Sequence, residues 1–238
     1  MKDINKIDYF IEWLEIEVQE GYKEKFLQYY TLLIEWNEKI NLTTITDFDD
    51  VIIKHFVDSL LIYKVFDLTN ERIIDIGTGA GFPGIPLKIV NPNLNITLVD
   101  SLKKRVNFLD EVIEKLDLTN ITAIHGRAED LGNNVVHREQ YDLCVSRAVA
   151  NLAILSEYCI PLVKNKGAFI SYKSSKIEEE LEASKKAIGV LGGKIKQLEK
   201  INILNTDISR SFIVIEKIKK TPKSYPRKSG KPNKDPIK

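Results

Sequence analysis

Cysteine is scarce in this 238-residue sequence, which contains only Cys144 and Cys159. The two residues form no CxxC motif, and no cluster of cysteine and histidine has the spacing of a zinc site. We therefore expect neither a scaffold held together by disulfides nor a bound metal. Such cysteine usage is typical of the reducing cytoplasm.

Long hydrophobic runs are also missing. No uncharged apolar stretch approaches the ~20 residues that a helix needs to cross a bilayer. The first residues, MKDINKIDYF, carry acids where a signal peptide would be apolar. No internal repeat is visible. We therefore expect a cytoplasmic protein with no membrane partner, and we expect it to be a monomer.

Positive charge is scarce at the N-terminal end and concentrated at the other end. Residues 1–50 contain 5 Lys and Arg against 12 Asp and Glu, whereas residues 217–238 contain 9 Lys and Arg and one Asp. The formal net charge of the whole chain is only +1. This asymmetry indicates an anionic partner that meets the C-terminal end.

The first third of the sequence has a helical pattern. Apolar residues at helical spacing predict two amphipathic helices, at 4–18 and 22–40. A polar loop follows, and a third helix is expected at 51–66, capped by Asp49 or Asp50.

After residue 70, short β-branched runs alternate with helical stretches. The predicted strands are 72–76, 95–101, 120–126, 141–147, 167–173, 193–203 and 209–217, and the predicted helices lie near 83–91, 102–117, 149–160 and 176–191. This alternation predicts an α/β fold with a mostly parallel sheet covered on both faces. The last two strands are joined only by LNTDI, which is too short for a parallel crossover, so they should pair antiparallel.

Three regions follow from these patterns. Residues 1–68 form a helical extension, residues 69–219 form the α/β core, and residues 220–238 form a basic tail. The tail is rich in Pro, Lys and Gly and has no apolar period. We therefore expect it to be disordered until it binds a partner.

A glycine-rich turn follows the first strand, in the stretch DIGTGAGFPG. One frame, from Gly79 through Gly81 to Gly84, fits the dinucleotide fingerprint GxGxxG. A second frame begins at Gly77, two residues after Asp75, and fits the D-x-G-x-G-x-G turn typical of S-adenosylmethionine (SAM) enzymes. The strand is expected to end directly before Gly77, which favours SAM. A tight turn with no ligand is the third interpretation.

Two acids and one short motif near this turn suit a nucleoside cofactor. SAM has no phosphate but carries an ammonium group, so Asp75 beside the turn is useful. Asp100 ends the second strand, where it can accept hydrogen bonds from ribose hydroxyls of either cofactor. GRAED at 126–130 follows the third strand, where the backbone at Ala128 and Glu129 can read a purine edge. Alternatively, Glu129 only begins a short helix.

Two cations end neighbouring strands. Arg147, in SRAV at 146–149, lies at the sheet edge where ligands of open α/β sheets bind, and it can hold a carboxylate, a phosphate or a base edge. A salt bridge to a nearby acid is the alternative. Lys173 ends the fifth strand and is expected to face the same cleft, unless it is an ordinary surface lysine. His55 and Asp58 share one helix face and are expected to hydrogen-bond, joining the extension to the core.

Six blocks of the sequence together resemble one family. They are NLTTITD at 41–47, KHFVDSL at 54–60, DIGTGAGFPGIPLKI at 75–89, VDSLKKRVNFL at 99–109, RAED at 127–130 and SRAV at 146–149. These blocks look like the bacterial 16S rRNA guanine-N7 methyltransferase family RsmG, also called GidB. The ending, YPRKSGKPNKDP, is similar to the basic tail of its Gram-positive members.

The resemblance implies a class I SAM-dependent methyltransferase fold. This fold is Rossmann-like, with a mostly parallel seven-stranded sheet whose last strand is antiparallel, here with an N-terminal helical extension. It also implies methyl transfer to N7 of one guanine of 16S rRNA, near the decoding region, with 16S rRNA or the small ribosomal subunit as partner. The family's cofactor contacts fall on Gly77, Phe82, Ala128, Glu129 and Arg147, joined by Gly79, Gly81 and Asp100 from the patterns above. The expected RNA contacts are Lys173, Arg227 and Lys228.

Guanine N7 has an in-plane lone pair and no proton, so methylation there needs no general base. We therefore assign no catalytic residue, and Arg147 is the best candidate to bridge the cofactor and the base. Three rival functions are an NAD(P)-linked oxidoreductase that uses the dinucleotide frame, a non-catalytic SAM-binding ribosome-assembly factor and a small-molecule methyltransferase.

Overall fold

The computed structural model describes residues 3–147, 150–174 and 177–237. Ala148 and Val149 of the SRAV block, the first residue of the helix predicted at 176–191 and the last residue of the tail lie outside these ranges. Within the described ranges, no helix is both long enough and apolar enough to cross a membrane.

The N-terminal extension is helical, as predicted. Its elements are α1 (Lys6–Trp13), α2 (Tyr22–Ile40), α3 (Phe48–Val51), a π-helical segment (Ile52–Val57), α4 (Asp58–Leu60) and a 3₁₀ turn (Leu61–Lys64). The cap of α3 is Asp47, whose side chain accepts a hydrogen bond from the Asp50 backbone N–H at 3.0 Å. The expected caps, Asp49 and Asp50, instead lie in the first turn of that helix, where acids suit the helix dipole.

The remainder alternates between strands and helices. Its elements are β1 (Arg72–Ile76), α5 (Gly84–Val90), β2 (Asn95–Asp100), α6 (Lys103–Lys115), β3 (Ile121–His125), α7 (Ala128–Asn133), β4 (Tyr141–Ser146), α8 (Leu152–Cys159), a 3₁₀ turn (Ile160–Leu162), β5 (Val163–Ser174), α9 (Glu178–Val190), β6 (Gly193–Asn202), β7 (Ser209–Lys217) and α10 (Lys231–Lys234). The strands agree with the predictions to within one residue, except that β5 begins earlier.

The seven strands form one sheet in the order β3-β2-β1-β4-β5-β7-β6. Strands β1 to β5 pair in parallel, and β7 pairs antiparallel with both β5 and β6. The predicted fold class and the antiparallel last strand are therefore confirmed. The strand order reverses beside β1, whose neighbours are β2 and β4, and ligands of open α/β sheets bind at such a switch point.

Successive side chains of the strands enter different cores, because strand side chains alternate between faces. Ile73 and Leu143 join a core built with helices α1 to α6. Ile74 and Cys144 join a second core built with α7, α8 and α9. The extension therefore covers one face of the sheet and shares its hydrophobic core.

The C-terminal tail differs from the expected disorder, because its described part, residues 220–237, packs on the core. Thr221, Pro226 and Pro232 are buried. The Arg138 guanidinium donates hydrogen bonds to the carbonyls of Thr221, at 2.9 Å, and Tyr225, at 2.7 Å. The anchoring groups belong to the core, and local composition of the tail does not reveal them.

Candidate cofactor and substrate site

A cleft of about 860 Å³ opens at the carboxyl ends of the central strands. Its lining combines the glycine turn after β1, the end of β2, the start of α7 and Arg147 after β4. Thr43 and His55 of the N-terminal extension line a further part of the wall. The cleft thus lies at the switch point of the sheet, beside β1.

The glycine turn adopts the frame that begins at Gly77. Strand β1 ends at Ile76, and Gly77, Gly79 and Gly81 have positive φ angles of 72°, 63° and 98°. A Cβ placed on Gly79 would have no heavy atom within 4 Å, so the space before it is open to a ligand. Gly81 instead packs inward, where a Cβ would lie 2.8 Å from the Tyr29 hydroxyl. Among the described residues that line the cleft, Gly77 and Gly79 are therefore present and Gly81 is not.

Asp75 lies beneath the turn and stabilises it. Its Oδ2 accepts hydrogen bonds from the Thr78 hydroxyl at 2.7 Å and from the Gly84 backbone N–H at 2.9 Å. Burial raises the pKa of this carboxyl to about 6. The residue is fully buried and is not part of the cleft lining, so it stabilises the turn from within, and the expected contact with the ammonium of a ligand stays a prediction.

Asp100 lines the cleft at the end of β2, as predicted. Its Oδ2 accepts a hydrogen bond from the Gly79 backbone N–H at 3.0 Å, and its Oδ1 accepts one from Leu102 at 2.9 Å. The same carboxylate therefore fixes the glycine turn and presents lone pairs to the cleft.

Ala128 and Glu129 begin α7 and both line the cleft. The first N–H groups of a helix have no acceptor within the helix, so they can donate to a ligand. The buried Glu129 side chain accepts a hydrogen bond from the Gly230 backbone N–H at 2.9 Å. Glu129 therefore does lie in the first turn of a short helix, and that helix also lines the cleft.

Arg147 lies against Phe82 in the cleft wall, its guanidinium carbon 4.9 Å from the ring centroid. The guanidinium donates hydrogen bonds to Asp58 Oδ2 at 2.7 Å and to the Lys54 carbonyl at 3.3 Å. Asp58 is fully buried and also accepts from Arg210, which sequence patterns did not single out. Both the salt bridge and the cleft position expected for Arg147 are thus present.

His55 stacks on Phe82, with ring centroids 4.5 Å apart and planes inclined by 17°. Its Nδ1 lies 3.3 Å from Arg147 Nη2, and its Nε2 lies 2.8 Å from the Thr43 hydroxyl. Burial, with the charge of Arg147, lowers the pKa of His55 to about 3, so the ring is neutral. Because arginine only donates, Nδ1 accepts and Nε2 carries the proton. The expected pairing of His55 with Asp58 therefore runs through Arg147.

Comparison with known proteins decides the family of this chain. The family described as rRNA small subunit methyltransferase G (GidB) matches residues 22–210. The chain belongs to this family. A ribosomal RNA small subunit methyltransferase G from Desulforamulus reducens is 53% identical over 94% of this chain and 94% of its own. The one from Lachnoclostridium phytofermentans is 50% identical over 100% of this chain and 98% of its own.

The fold agrees with this assignment. A solved methyltransferase from Pyrococcus furiosus covers 84% of this chain and 100% of its own, with a TM-score of 0.55 and 14% identity, which shows the fold alone. The family resemblance and the prediction of a class I methyltransferase enzyme are confirmed, and SAM is its cofactor. The site suits SAM, because the open glycine backbone, the Asp100 carboxylate and the N–H groups of α7 match its polar groups.

The three expected RNA contacts, Lys173, Arg227 and Lys228, lie in different surroundings. Lys173 donates to Glu180 Oε1 at 2.7 Å and to the Ala150 carbonyl at 2.5 Å, and it is not part of the described cleft lining. Ser146 of β4 pairs with Ser171 of the parallel strand β5, so Arg147 lies level with Tyr172. Because side chains alternate along a strand, Lys173 points to the opposite face of the sheet from Tyr172 and Arg147. The two cations therefore do not share a cleft.

Arg227 and Lys228 of the tail also differ from each other. The Arg227 guanidinium forms two hydrogen bonds with the buried Glu157, Nε to Oε1 at 2.9 Å and Nη2 to Oε2 at 2.6 Å. It is committed to the core rather than free for phosphate. Lys228 is exposed and remains a predicted RNA contact.

Proposed function

We propose that this methyltransferase modifies N7 of one guanine in small-subunit rRNA. The observation that carries the proposal is the hydrogen bonding of the acids and the histidine in the cleft. Among the described lining residues the acids are Asp100 and Glu129, and both accept hydrogen bonds from backbone N–H groups. His55 is neutral, with both nitrogens close to partners. This arrangement suits a nucleophile that carries no proton, as guanine N7 does.

SAM supplies a methyl group activated by its sulfonium. The chain's own residues bind and align the reactants. Backbone at Gly77 and Gly79 would hold the methionine end, Asp100 the ribose hydroxyls, and the N–H groups of Ala128 and Glu129 the purine edge. Orientation alone can lower a reaction barrier by up to about 7–11 kcal/mol, so alignment is the contribution expected of these residues.

Arg147 is the proposed contact with the target base. Its guanidinium is held against Phe82 and by Asp58, so it keeps one orientation at the cleft wall. A guanine presents the O6 acceptor beside N7, and arginine is suited to such an edge. The base must leave its stack to reach the cleft, which favours a loop or an exposed end of the RNA.

Methyl-labelled SAM tests the proposal with small ribosomal subunits and stripped 16S rRNA from a strain that lacks the protein. We expect label on one guanine, at a site that reduction followed by aniline cleaves, as N7-methylguanine sites are. Label on a guanine that resists cleavage would contradict the N7 assignment. SAM and rRNA binding without transfer would favour the assembly-factor alternative, and binding of NADH instead of SAM would favour the oxidoreductase.

A further inference from the structure

The C-terminal tail contributes to the wall of the cofactor cleft. Gly230 and Asn233 line the same cleft as Ala128 and Glu129. This is the end where α7 begins, which is the end assigned to the purine of the cofactor. The tail therefore has a role at the cofactor site that its basic composition does not indicate.

Several contacts hold the tail in this position. The most strongly buried is the pair of Arg227 with Glu157 on α8, in which the Glu157 side chain is 1% exposed. The Arg227 backbone N–H also donates to Glu157, at 2.8 Å. Arg127 donates to the Ser229 hydroxyl at 2.6 Å. The Arg227 guanidinium supplies the opposite charge that a buried carboxylate such as Glu157 requires.

The tail also packs closely on α7. Pro226 lies over Gly132, where a Cβ would come within 2.7 Å of the proline ring. Asn133 Nδ2 donates to the Pro226 carbonyl at 3.1 Å. Helix α7 thus contacts the tail through Gly132 and Asn133 and lines the cofactor cleft through Ala128 and Glu129.

Glu129 directly connects the contact with the tail and the lining of the cofactor cleft. Glu129 lines the cleft, and its carboxylate accepts the hydrogen bond of Gly230, which is itself a cleft residue. The cleft and the docked tail therefore share helix α7. Coupling between two sites is reciprocal, so a tail that favours SAM binding is itself stabilised by SAM.

We infer that Gly230 and Asn233 of the tail form part of the cofactor site, that Asn233 contacts the adenosine end of SAM, and that the Glu157–Arg227 pair is a positioning device for this wall. The inference rests on SAM being the cofactor. It assigns the tail a role in holding the cofactor that is separate from attraction of RNA.

Calorimetric titration with SAM tests the inference on the full-length protein. We expect Arg227→Gln to weaken SAM binding by tenfold or more. Asn233→Ala, which leaves the anchoring pair intact, should weaken it about threefold to tenfold, as loss of one neutral hydrogen bond does. Lys223→Gln is the matched control, because it removes one tail charge outside the pair, and SAM affinity should be unchanged.

Limited trypsin digestion gives a second readout that does not depend on activity. SAM should slow cleavage after Lys223 and Lys228 in the wild-type protein, and Arg227→Gln should abolish this protection. Wild-type SAM affinity in folded Arg227→Gln and Asn233→Ala proteins, with cleavage unaffected by SAM, would overturn the inference. Failure of the wild-type protein to bind SAM would instead overturn the proposed function, so the two failures are distinguishable.

Discussion

Asp58 is a fully buried carboxylate that holds two arginines from distant parts of the chain. It accepts a hydrogen bond from Arg147 Nη1 at 2.7 Å and another from Arg210 Nε. Its position on α4 brings the N-terminal extension, the end of β4 and the start of β7 together. The orientation of the proposed base contact therefore depends on a residue outside the cleft lining.

Replacement of Asp58 should be costly. Asp58→Ala leaves two cations without their shared anion, and removing one partner of a buried pair typically costs about 3–5 kcal/mol. We expect such a loss in urea unfolding, together with a lower kcat for methyl transfer because Arg147 loses its orientation. Asp49→Ala is the control, since Asp49 forms a largely exposed pair with Lys6 and should change stability little. Equal effects of the two substitutions would contradict the assigned role.

His55 makes stability depend on pH. Its folded-state pKa of about 3 lies below the ordinary value of 6.5, so the unfolded chain binds a proton more readily. The stabilisation from the neutral ring is fully present above pH 6.5 and is lost as the pH falls toward 3. Between pH 6.5 and 5 this loss amounts to about 2 kcal/mol, at ~1.4 kcal/mol per pH unit.

Urea unfolding at pH 7.5 and pH 5.0 checks this expectation. The free energy of unfolding of the wild-type protein should fall more between the two pH values than that of His55→Gln. Acids titrate in both proteins, so the difference between them isolates His55. Parallel pH dependences of the two proteins would show that the ring is not held neutral.

At the scale of the element, a substitution in the glycine turn should affect cofactor binding much more than protein stability. Gly79 has a φ of +63°, and a Cβ there would meet no atom within 4 Å. Gly79→Ala should therefore cost only about 1–2 kcal/mol, the strain of the left-handed backbone. Its Cβ would occupy the space of the cofactor, so SAM affinity should fall tenfold or more in calorimetry.

Gly189→Ala provides the matched control for this turn. A Cβ on Gly189 also meets no atom within 4 Å, but the residue lies in helix α9 without a positive φ. The change should stabilise the protein by roughly 0.5–1 kcal/mol, as alanine does in a helix, and leave SAM affinity unchanged. A Gly79→Ala protein that binds SAM normally would refute the placement of the cofactor.

Sequence patterns predicted most elements because strand and helix periods are local. They located β1 and β7 to the residue, whereas the face of Lys173 depended on its register with β4. The place of Gly77 and Gly79 in the cleft lining was predictable from the spacing of the glycines. The inward packing of Gly81 involves Ile85 of the following helix and also Tyr29, which comes from helix α2 and is distant in sequence.

The folded tail shows where composition misleads. Its proline, lysine and glycine content predicts disorder, and its own residues build no core. Its anchors lie far away in sequence, with Arg227 paired to Glu157 and Gly230 to Glu129. Glu157 is an unremarkable helix position until the fold brings the tail to it, and Glu129 is expected from the sequence only as a cofactor contact or the start of a short helix. Local periodicity does not show that either carboxylate is buried, so neither anchor could be predicted from the sequence.

At the scale of the whole molecule, the positively charged end of the chain lies beside the cleft. The excess of cations at residues 217–238 lies on a tail that packs beside the cofactor site. Lys228, Lys231 and Lys234 are exposed on this segment, and Gly230 and Asn233 between them line the cleft. The fold thus carries positive charge to the place where an RNA must deliver its base.

Replacing these three lysines with glutamine should weaken RNA binding without disturbing the cofactor. Each contact between a cation and a phosphate of single-stranded RNA contributes ~0.7 to the slope of log affinity against log salt. The triple variant should therefore flatten that slope by about 2, measured as rRNA-fragment binding across a potassium chloride titration. SAM affinity should persist, because none of the three side chains is part of the described cleft lining. The control is glutamine at Lys186, Lys194 and Lys196, which are exposed on α9 and the edge strand β6. Identical salt slopes for the two triple variants would show that the tail lysines do not meet phosphate.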